Sequence, residues 1–343
     1  MRAALVGATG AVGTQMLSII EERNVAIDEL VPVASPRSAG RKLPFRGGEI
    51  EVKALAPEVF DGVGIAFFDV PDEVSREWAP IAVEAGAIVV DKSGAWRMDP
   101  DVPLVVPEVN PTAVGDRRKG IIANPNCTTL AMVVPLAPLH VRFEVTRLVV
   151  ASYQAASGAG MPGIEELWDQ TQAAVKQPDE VREGRARDVL DAGETFGHPI
   201  ALNAIPHCGS VKDDGYTSEE LKLLYETRKI MSLPELQVSA TCVRVPVMVG
   251  HGVAVHAEFA APVSVEQARE ILAAAPGVVV QDDLAAGVYP TPLGAAGTDP
   301  CYVGRIRQNM FDDKALEFFS VTDNLRKGAA LNTVQVAELL LDS

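Results

Sequence analysis

The opening stretch of the chain narrows the possible folds more than any other. Arg2-Ala3-Ala4-Leu5-Val6 is an apolar run of strand length, and Gly7-Ala8-Thr9-Gly10-Ala11-Val12-Gly13 follows it at once. Beyond the glycines, Val12, Met16, Ile19 and Ile20 recur at the spacing of a single helical face. A strand, a glycine turn and an amphipathic helix in so short a span lead back across a sheet to a second strand parallel to the first. Such a turn also lets the backbone approach a pyrophosphate and aims a helix N-terminus at it. The spacing is GxxGxxG rather than GxGxxG, so the turn taken alone is equally a structural one.

The pattern continues. Apolar runs recur at 30–34, 64–68, 87–90, 104–106 and 121–123, with a helical stretch over 72–85. Strands alternating with helices or long connections predict a doubly wound parallel sheet. Past residue 127 the pattern changes to longer strand-like runs at 146–153, 236–246, 252–261, 301–308 and 315–321, with helices over 164–176, 218–231 and 265–274. These predict a mostly antiparallel sheet. At 343 residues and 48% hydrophobic content, the chain is long enough for two domains. The expected fold class is α/β: an N-terminal Rossmann-like dinucleotide-binding domain over 1–126, and a second α+β domain over 127–322. A last helix over 323–343, capped by Asp323, is expected to complete the first domain.

A formal net charge of −16 argues against a nucleic-acid partner held by a basic face, and an anionic small substrate then needs a local cluster of arginine and lysine. No apolar run reaches membrane-spanning length, and the chain enters its first strand without the regions of a signal peptide. The expectation is a cytoplasmic protein with no membrane partner. Cys127, Cys208, Cys242 and Cys301 lie far apart and show neither CxxC nor metal-ligand spacing, so neither disulfides nor a bound metal is expected.

Asn124-Pro125-Asn126-Cys127-Thr128-Thr129 follows a short apolar strand and opens a helix predicted over 128–139, bent and ended by Pro135 and Pro138. A cysteine at a helix N-terminus meets unsatisfied N–H groups and the positive end of the dipole, which favour the nucleophilic thiolate. Most single cysteines are small buried hydrophobes, but the polar neighbours here favour a nucleophile. Arg37 and Ser38 follow the second strand where an NAD site would carry an acid, and suit a 2′-phosphate; a solvated loop charge is the plain alternative. Arg97, in the polar loop after the strand at 87–90, is an anion-binding candidate or a surface ion pair. Gln154 ends a strand before a glycine-rich turn. Glu219 and Lys222 share a helical face and suit an amine and an anion, or each other. Arg244 offers a planar fork to a carboxylate. His251, between two glycines, is placed to move a proton.

Taken together, GATGAVG at 7–13, SPRSAG at 35–40, NPNCTT at 124–129, YQAASGAG at 153–160, EExK at 219–222 and RVPVMVGH at 244–251 resemble the aspartate-semialdehyde dehydrogenases from end to end. The resemblance implies an NADP-dependent enzyme, a homodimer, that converts 4-phospho-L-aspartate to L-aspartate 4-semialdehyde and phosphate. In that family the product feeds lysine (through diaminopimelate), threonine and methionine synthesis. It further implies Cys127 as nucleophile, His251 as general acid/base and Gln154 as the residue that positions the intermediate. Glu219 would face the substrate amine and Arg244 its α-carboxylate, with Arg97, Asn126 and Lys222 holding phosphate. Thr9, Gly10, Ala11, Val12, Arg37, Ser38, Ser157, Gly158 and Asn324 would surround NADP. N-acetyl-glutamyl-phosphate reductase and glyceraldehyde-3-phosphate dehydrogenase are the rival enzymes, and an NADP-binding regulatory protein is the rival without chemistry. An acetylated amine gives Glu219 no cation to meet, and glyceraldehyde 3-phosphate has no α-carboxylate for Arg244.

Overall fold

The structure, a computed structural model, describes residues 1–341. The chain forms two compact units. One holds Met1–Val134, Tyr225–Pro234 and the described residues from Leu325 to Leu341; the other holds Pro135–Leu224 and Glu235–Asn324. The chain crosses between them four times, twice inside a helix, at 134–135 and at 224–225. Segments 127–134 and 225–234 belong to the first unit, to which Glu226 is tied by bonds to Arg97 and Asn126.

In the first unit the strands are β1 (Arg2–Val6), β2 (Glu29–Ala34), β3 (Lys42–Phe45), β4 (Gly48–Glu51), β5 (Lys53–Ala54), β6 (Ile65–Phe68), β7 (Ile88–Asp91) and β8 (Ile121–Ala123). Among the described residues the main sheet runs β5-β2-β1-β6-β7-β8, every neighbouring pair parallel. β3 and β4 form a separate antiparallel hairpin that alternation alone does not reveal. Helices α1 (Ala11–Glu22) and α2 (Asp72–Glu84) follow β1 and β6. Because the strands are buried on both faces, they read as continuous apolar runs; Leu5, Phe67, Val90 and Ile122 pack with Met16 and Ile20 of α1.

Two expectations change here. The 104–106 run makes only a single bridge, Leu104 to Ala123, because the Asn110 side chain takes the Val106 N–H and the Leu104 carbonyl. Helix α3 (Cys127–Phe143) runs on through Pro135 and Pro138. Burial of Leu130, Met132, Val133, Leu136 and Leu139 offsets the two backbone bonds that the prolines remove.

The second unit contains β9 (Val145–Gln154), β10 (Gln237–Arg244), β11 (His251–Phe259), β12 (Val278–Val280), β13 (Cys301–Gln308) and β14 (Ala315–Thr322). They form one sheet in the order β10-β9-β11-β14-β13-β12. The central pairs β9–β11, β11–β14 and β14–β13 are antiparallel and the outer two are parallel. Helices Gly160–Lys176 and Val265–Ala274 lie in this unit.

At the C-terminus the expected single helix is a π-turn, Arg326–Ala330, running into an α-helix, Leu331–Leu341. Ala330, Leu331 and Val334 join the core of the first unit. The carboxylate of Asp323, just before this segment, accepts from the Gly297 N–H at 2.7 Å.

Candidate active site

The glycine turn sits where the strand order of the parallel sheet reverses, between β1 and β6. Gly7 has φ +96°, and a Cβ there would stand 2.0 Å from the carbonyl oxygen of Asp69, just after β6. Only glycine lets the turn close so tightly. At α1, Gly10 is an extended N-cap with no side-chain bond, and the first turn carries no acidic residue. The Gly10 N–H closes the turn onto the Gly7 carbonyl at 3.0 Å, and beyond Thr9 and Gly10 the first-turn N–H groups of Ala11 and Val12 and the positive end of a dipole stand at the switch point, which fits a dinucleotide pyrophosphate. Arg37 and Ser38 stand on a short turn after β2, Pro36–Ser38, with Arg37 exposed.

In the same unit, Cys127 is half-buried at the first position of α3. Asn126 caps that helix: its Oδ1 accepts from the Thr128 N–H at 2.9 Å and the Thr129 N–H at 3.2 Å. Arg97 is buried, donating from Nη1 to Glu226 Oε1 at 3.0 Å and from Nη2 to the Lys92 carbonyl at 2.8 Å. The start of its loop is anchored by Asp91, whose carboxylate accepts from Ser75 and Ser93. Burial raises the pKa of that carboxyl above the usual range.

The second unit carries a second buried polar cluster. Gln154, at the end of β9, donates to Glu219 Oε1 at 3.1 Å and accepts from Ser152. Glu219 Oε2 accepts from Lys222 Nζ at 3.0 Å. Arg244, at the end of β10, donates from Nη1 to the Ala155 carbonyl at 2.7 Å, and its guanidinium carbon lies 5.6 Å from the centre of the Phe196 ring. Its Nε has no hydrogen-bond partner among the described residues, and neither does Nε2 of His251.

His251 opens β11 and is fully buried. Its Nδ1 accepts from the Ala155 N–H at 3.0 Å, which puts the ring proton on Nε2. Burial first, then the charge of Arg244, pushes its pKa down to about 3, so the ring is neutral near pH 7. Gly158 is the residue that closes this cluster: a Cβ there would lie 2.6 Å from Arg244 Nη1 and 3.1 Å from His251 Nε2. Ser157 bonds to Asn324 Nδ2 at 2.9 Å, and Asn324 Oδ1 accepts from the Gly250 N–H at 2.8 Å, fixing the turn before His251.

The residues singled out from sequence thus gather as Arg97, Asn126 and Cys127 in one unit, and as Gln154, Ser157, Gly158, Glu219, Lys222, Arg244, His251 and Asn324 in the other. Sequence reasoning missed Glu226 and Lys229. The available signal was a second Glu-x-x-Lys, 226 to 229, two turns along the helix Ser218–Met231 that carries the first. It also missed Lys327, buried in the π-turn against Glu108 at 2.6 Å and Asn332 at 2.9 Å.

A switch-point glycine turn with a thiol at a helix N-terminus defines the class: a dinucleotide-dependent oxidoreductase. Comparison with known families bears this out. Residues 2–117 match the model for the semialdehyde dehydrogenase NAD-binding domain, and residues 136–327 match that for the semialdehyde dehydrogenase dimerisation domain. Aspartate-semialdehyde dehydrogenase of Aquifex aeolicus is 50% identical over 99% of this chain and 98% of the relative, and that of Bacillus subtilis 46% over 99% and 97%. The crystal structure of aspartate semialdehyde dehydrogenase II from Vibrio cholerae, complexed with ASA, aligns with a TM-score of 0.93 at 42% identity, covering 100% of this chain and 98% of that one. A Candida albicans aspartate semialdehyde dehydrogenase with NADP aligns at 0.72 and 25% identity, over 99% and 98%. The chain belongs to the aspartate-semialdehyde dehydrogenase family.

Proposed function

We propose that this chain is an NADP-dependent, phosphorylating aspartate-semialdehyde dehydrogenase. In the biosynthetic direction it takes 4-phospho-L-aspartate to L-aspartate 4-semialdehyde, on the route to lysine (through diaminopimelate), threonine and methionine. The observation that carries the substrate is Arg244, a buried guanidinium that has no carboxylate partner among the described residues. A buried charge is costly unless paired, so a carboxylate brought by the substrate supplies what the fold leaves out. Glu219, in the same unit, supplies the opposite charge for an α-amino group.

In this reading Cys127 attacks the acyl phosphate carbon; the carbon–sulfur bond forms as the carbon–oxygen bond to phosphate breaks, leaving a thioester. Arg97, Asn126 and Lys222 hold the departing phosphate. The nicotinamide, when bound, supplies the hydride that reduces the thioester carbonyl. His251, fixed as the neutral Nε2–H tautomer, donates a hydrogen bond to the oxygen that becomes negative and stabilises it without giving up its proton. Gln154 orients the acyl group, and collapse of the thiohemiacetal returns the Cys127 thiolate. Thr9 to Val12, with Ser157, Gly158 and Asn324, would hold the dinucleotide, and Arg37 and Ser38 would take its 2′-phosphate. The matched dimerisation domain supports a homodimer, and the biosynthetic role supports a cytoplasmic setting.

The test is phosphate-dependent NADP reduction with L-aspartate 4-semialdehyde, run beside N-acetyl-glutamate 5-semialdehyde. Turnover with the first substrate, lost in Cys127→Ala with NADP affinity retained, is expected. Preference for the acetylated substrate, or full turnover in Cys127→Ala, would overturn the reading.

A further inference from the structure

The helix Ser218–Met231 contributes a carboxylate that the proposed chemistry does not use. Glu226 is 1% exposed. One of its oxygens accepts from Arg97 Nη1 at 3.0 Å, and the other accepts at 2.7 Å from the backbone N–H of Asn126, the residue before Cys127. Three residues on, Lys229 Nζ donates to the carbonyls of Arg97, Asp99 and Val102, each at 2.7 Å. Burial lowers the pKa of this ammonium, and nearby Asp99 and Glu226 oppose the shift. The pair therefore grips the Arg97 loop by its backbone and its guanidinium, while Glu226 also grips the strand-to-helix turn that presents the thiol.

We propose that Glu226 is a positioning residue for phosphate transfer, setting the Arg97 guanidinium and the Cys127 turn at a fixed separation, with Lys229 holding the loop backbone. The proposal rests on the reading of Arg97 as a phosphate ligand. Phosphate leaves the carbon to which sulfur bonds, so the phosphate holder and the nucleophile must be held to well under an ångström relative to each other. A long arginine side chain does not achieve this by itself. A carboxylate with one oxygen on each partner does, because an acceptor that bridges two donors fixes both. Glutamine at 226 has one acceptor and one donor, so whichever way it turns a donor faces a donor and one of the two bonds is lost.

The experiment measures steady-state kinetics with phosphate and semialdehyde varied in turn, and the pH profile of Cys127 alkylation by iodoacetamide, for Glu226→Gln, Glu226→Asp and Arg97→Lys. Loss of one charged hydrogen bond predicts about a tenfold rise in the phosphate KM of Glu226→Gln, with the semialdehyde KM moving less than about twofold. Removing an anion from the turn also shifts the alkylation profile to lower pH. Glu226→Asp keeps the charge but withdraws it by one methylene, so it raises the phosphate KM without moving the profile. A Glu226→Gln enzyme with both phosphate KM and profile unchanged overturns the proposal, even if kcat falls, because that is the signature of a structural role alone. If the Gln variant does not fold, the Asp variant decides: a raised phosphate KM supports the proposal and an unchanged one overturns it. A phosphate KM raised in Arg97→Lys but not in the Glu226 variants sinks the Glu226 proposal alone. A phosphate KM unmoved in Arg97→Lys sinks the phosphate reading of Arg97, and this proposal with it.

Discussion

Arg97 in the first unit and Arg244 in the second are both buried at the edge of a candidate site, and they are kept in opposite ways. Arg97 carries a permanent counter-ion, Glu226, and a backbone carbonyl. Arg244 has a carbonyl and an aromatic ring, and no carboxylate among the described residues. A guanidinium already neutralised attracts an anion weakly and mainly orients it, which suits a group that must depart within each turnover. A guanidinium left uncompensated in a low-dielectric site binds an anion firmly, which suits a group that stays bound through every step. Under the proposed assignment, the difference between the arginines matches which end of the substrate leaves.

The sharpest way to break the comparison is Arg244→Lys. It keeps the charge but loses the planar fork, and forfeiting a charged hydrogen bond costs about 2–3 kcal/mol, so the semialdehyde KM should rise roughly 30- to 150-fold. Steady-state kinetics with each substrate varied would show it, and a rise confined to phosphate would mean that the two assignments are exchanged. Gly158→Ala should come next. The new methyl group meets Arg244 Nη1 at 2.6 Å, and overpacking of this kind costs about 1–3 kcal/mol, felt in both kcat and semialdehyde KM. Unchanged kinetics in a folded Gly158→Ala variant would show that the Arg244–His251 cluster has slack the structure does not reveal.

Arg97→Lys should have a smaller effect, raising the phosphate KM by less than about tenfold, because a point charge still meets phosphate. The mildest effect is on acid stability. His251 binds a proton near pH 6.5 when unfolded but only near 3 when folded. Between those values the unfolded chain holds the extra proton, so stability falls as the pH drops below about 6.5. Urea unfolding at pH 7.5 and pH 5 should show His251→Gln losing about 2 kcal/mol less than the wild type over that interval. An equal loss in both proteins would mean that the ring is not buried as a neutral donor.

Much of the fold is legible in sequence because burial leaves a direct trace. Strands covered on both faces read as the apolar runs around Val33, Phe67 and Val90, and Cys127 announces itself where such a run gives way to Asn126 and a helix. Legibility fails where partners are remote or side chains substitute for backbone. Asn110 takes the ladder groups that would have made 104–106 a strand. Pro135 and Pro138 are helix breakers by rule, overridden here by a buried apolar surround. Glu226 looks like one charge among several on a polar helix, and its donors lie 129 and 100 residues away. The one-dimensional pattern records that a side chain is polar, but not whether it will be buried.

The C-terminal network has a consequence for how the protein is made. Asn332 donates to Asn124 Oδ1 at 2.7 Å across 208 residues, and to the Val105 carbonyl as well, while Lys327 holds Asn332 from the π-turn. During synthesis the turn that presents Cys127 emerges long before the side chain that braces it. Until Asn332 is made, the Asn124 side chain lacks this partner. The final helix thus supplies to the 124–127 turn a brace that cannot form before Asn332 is made.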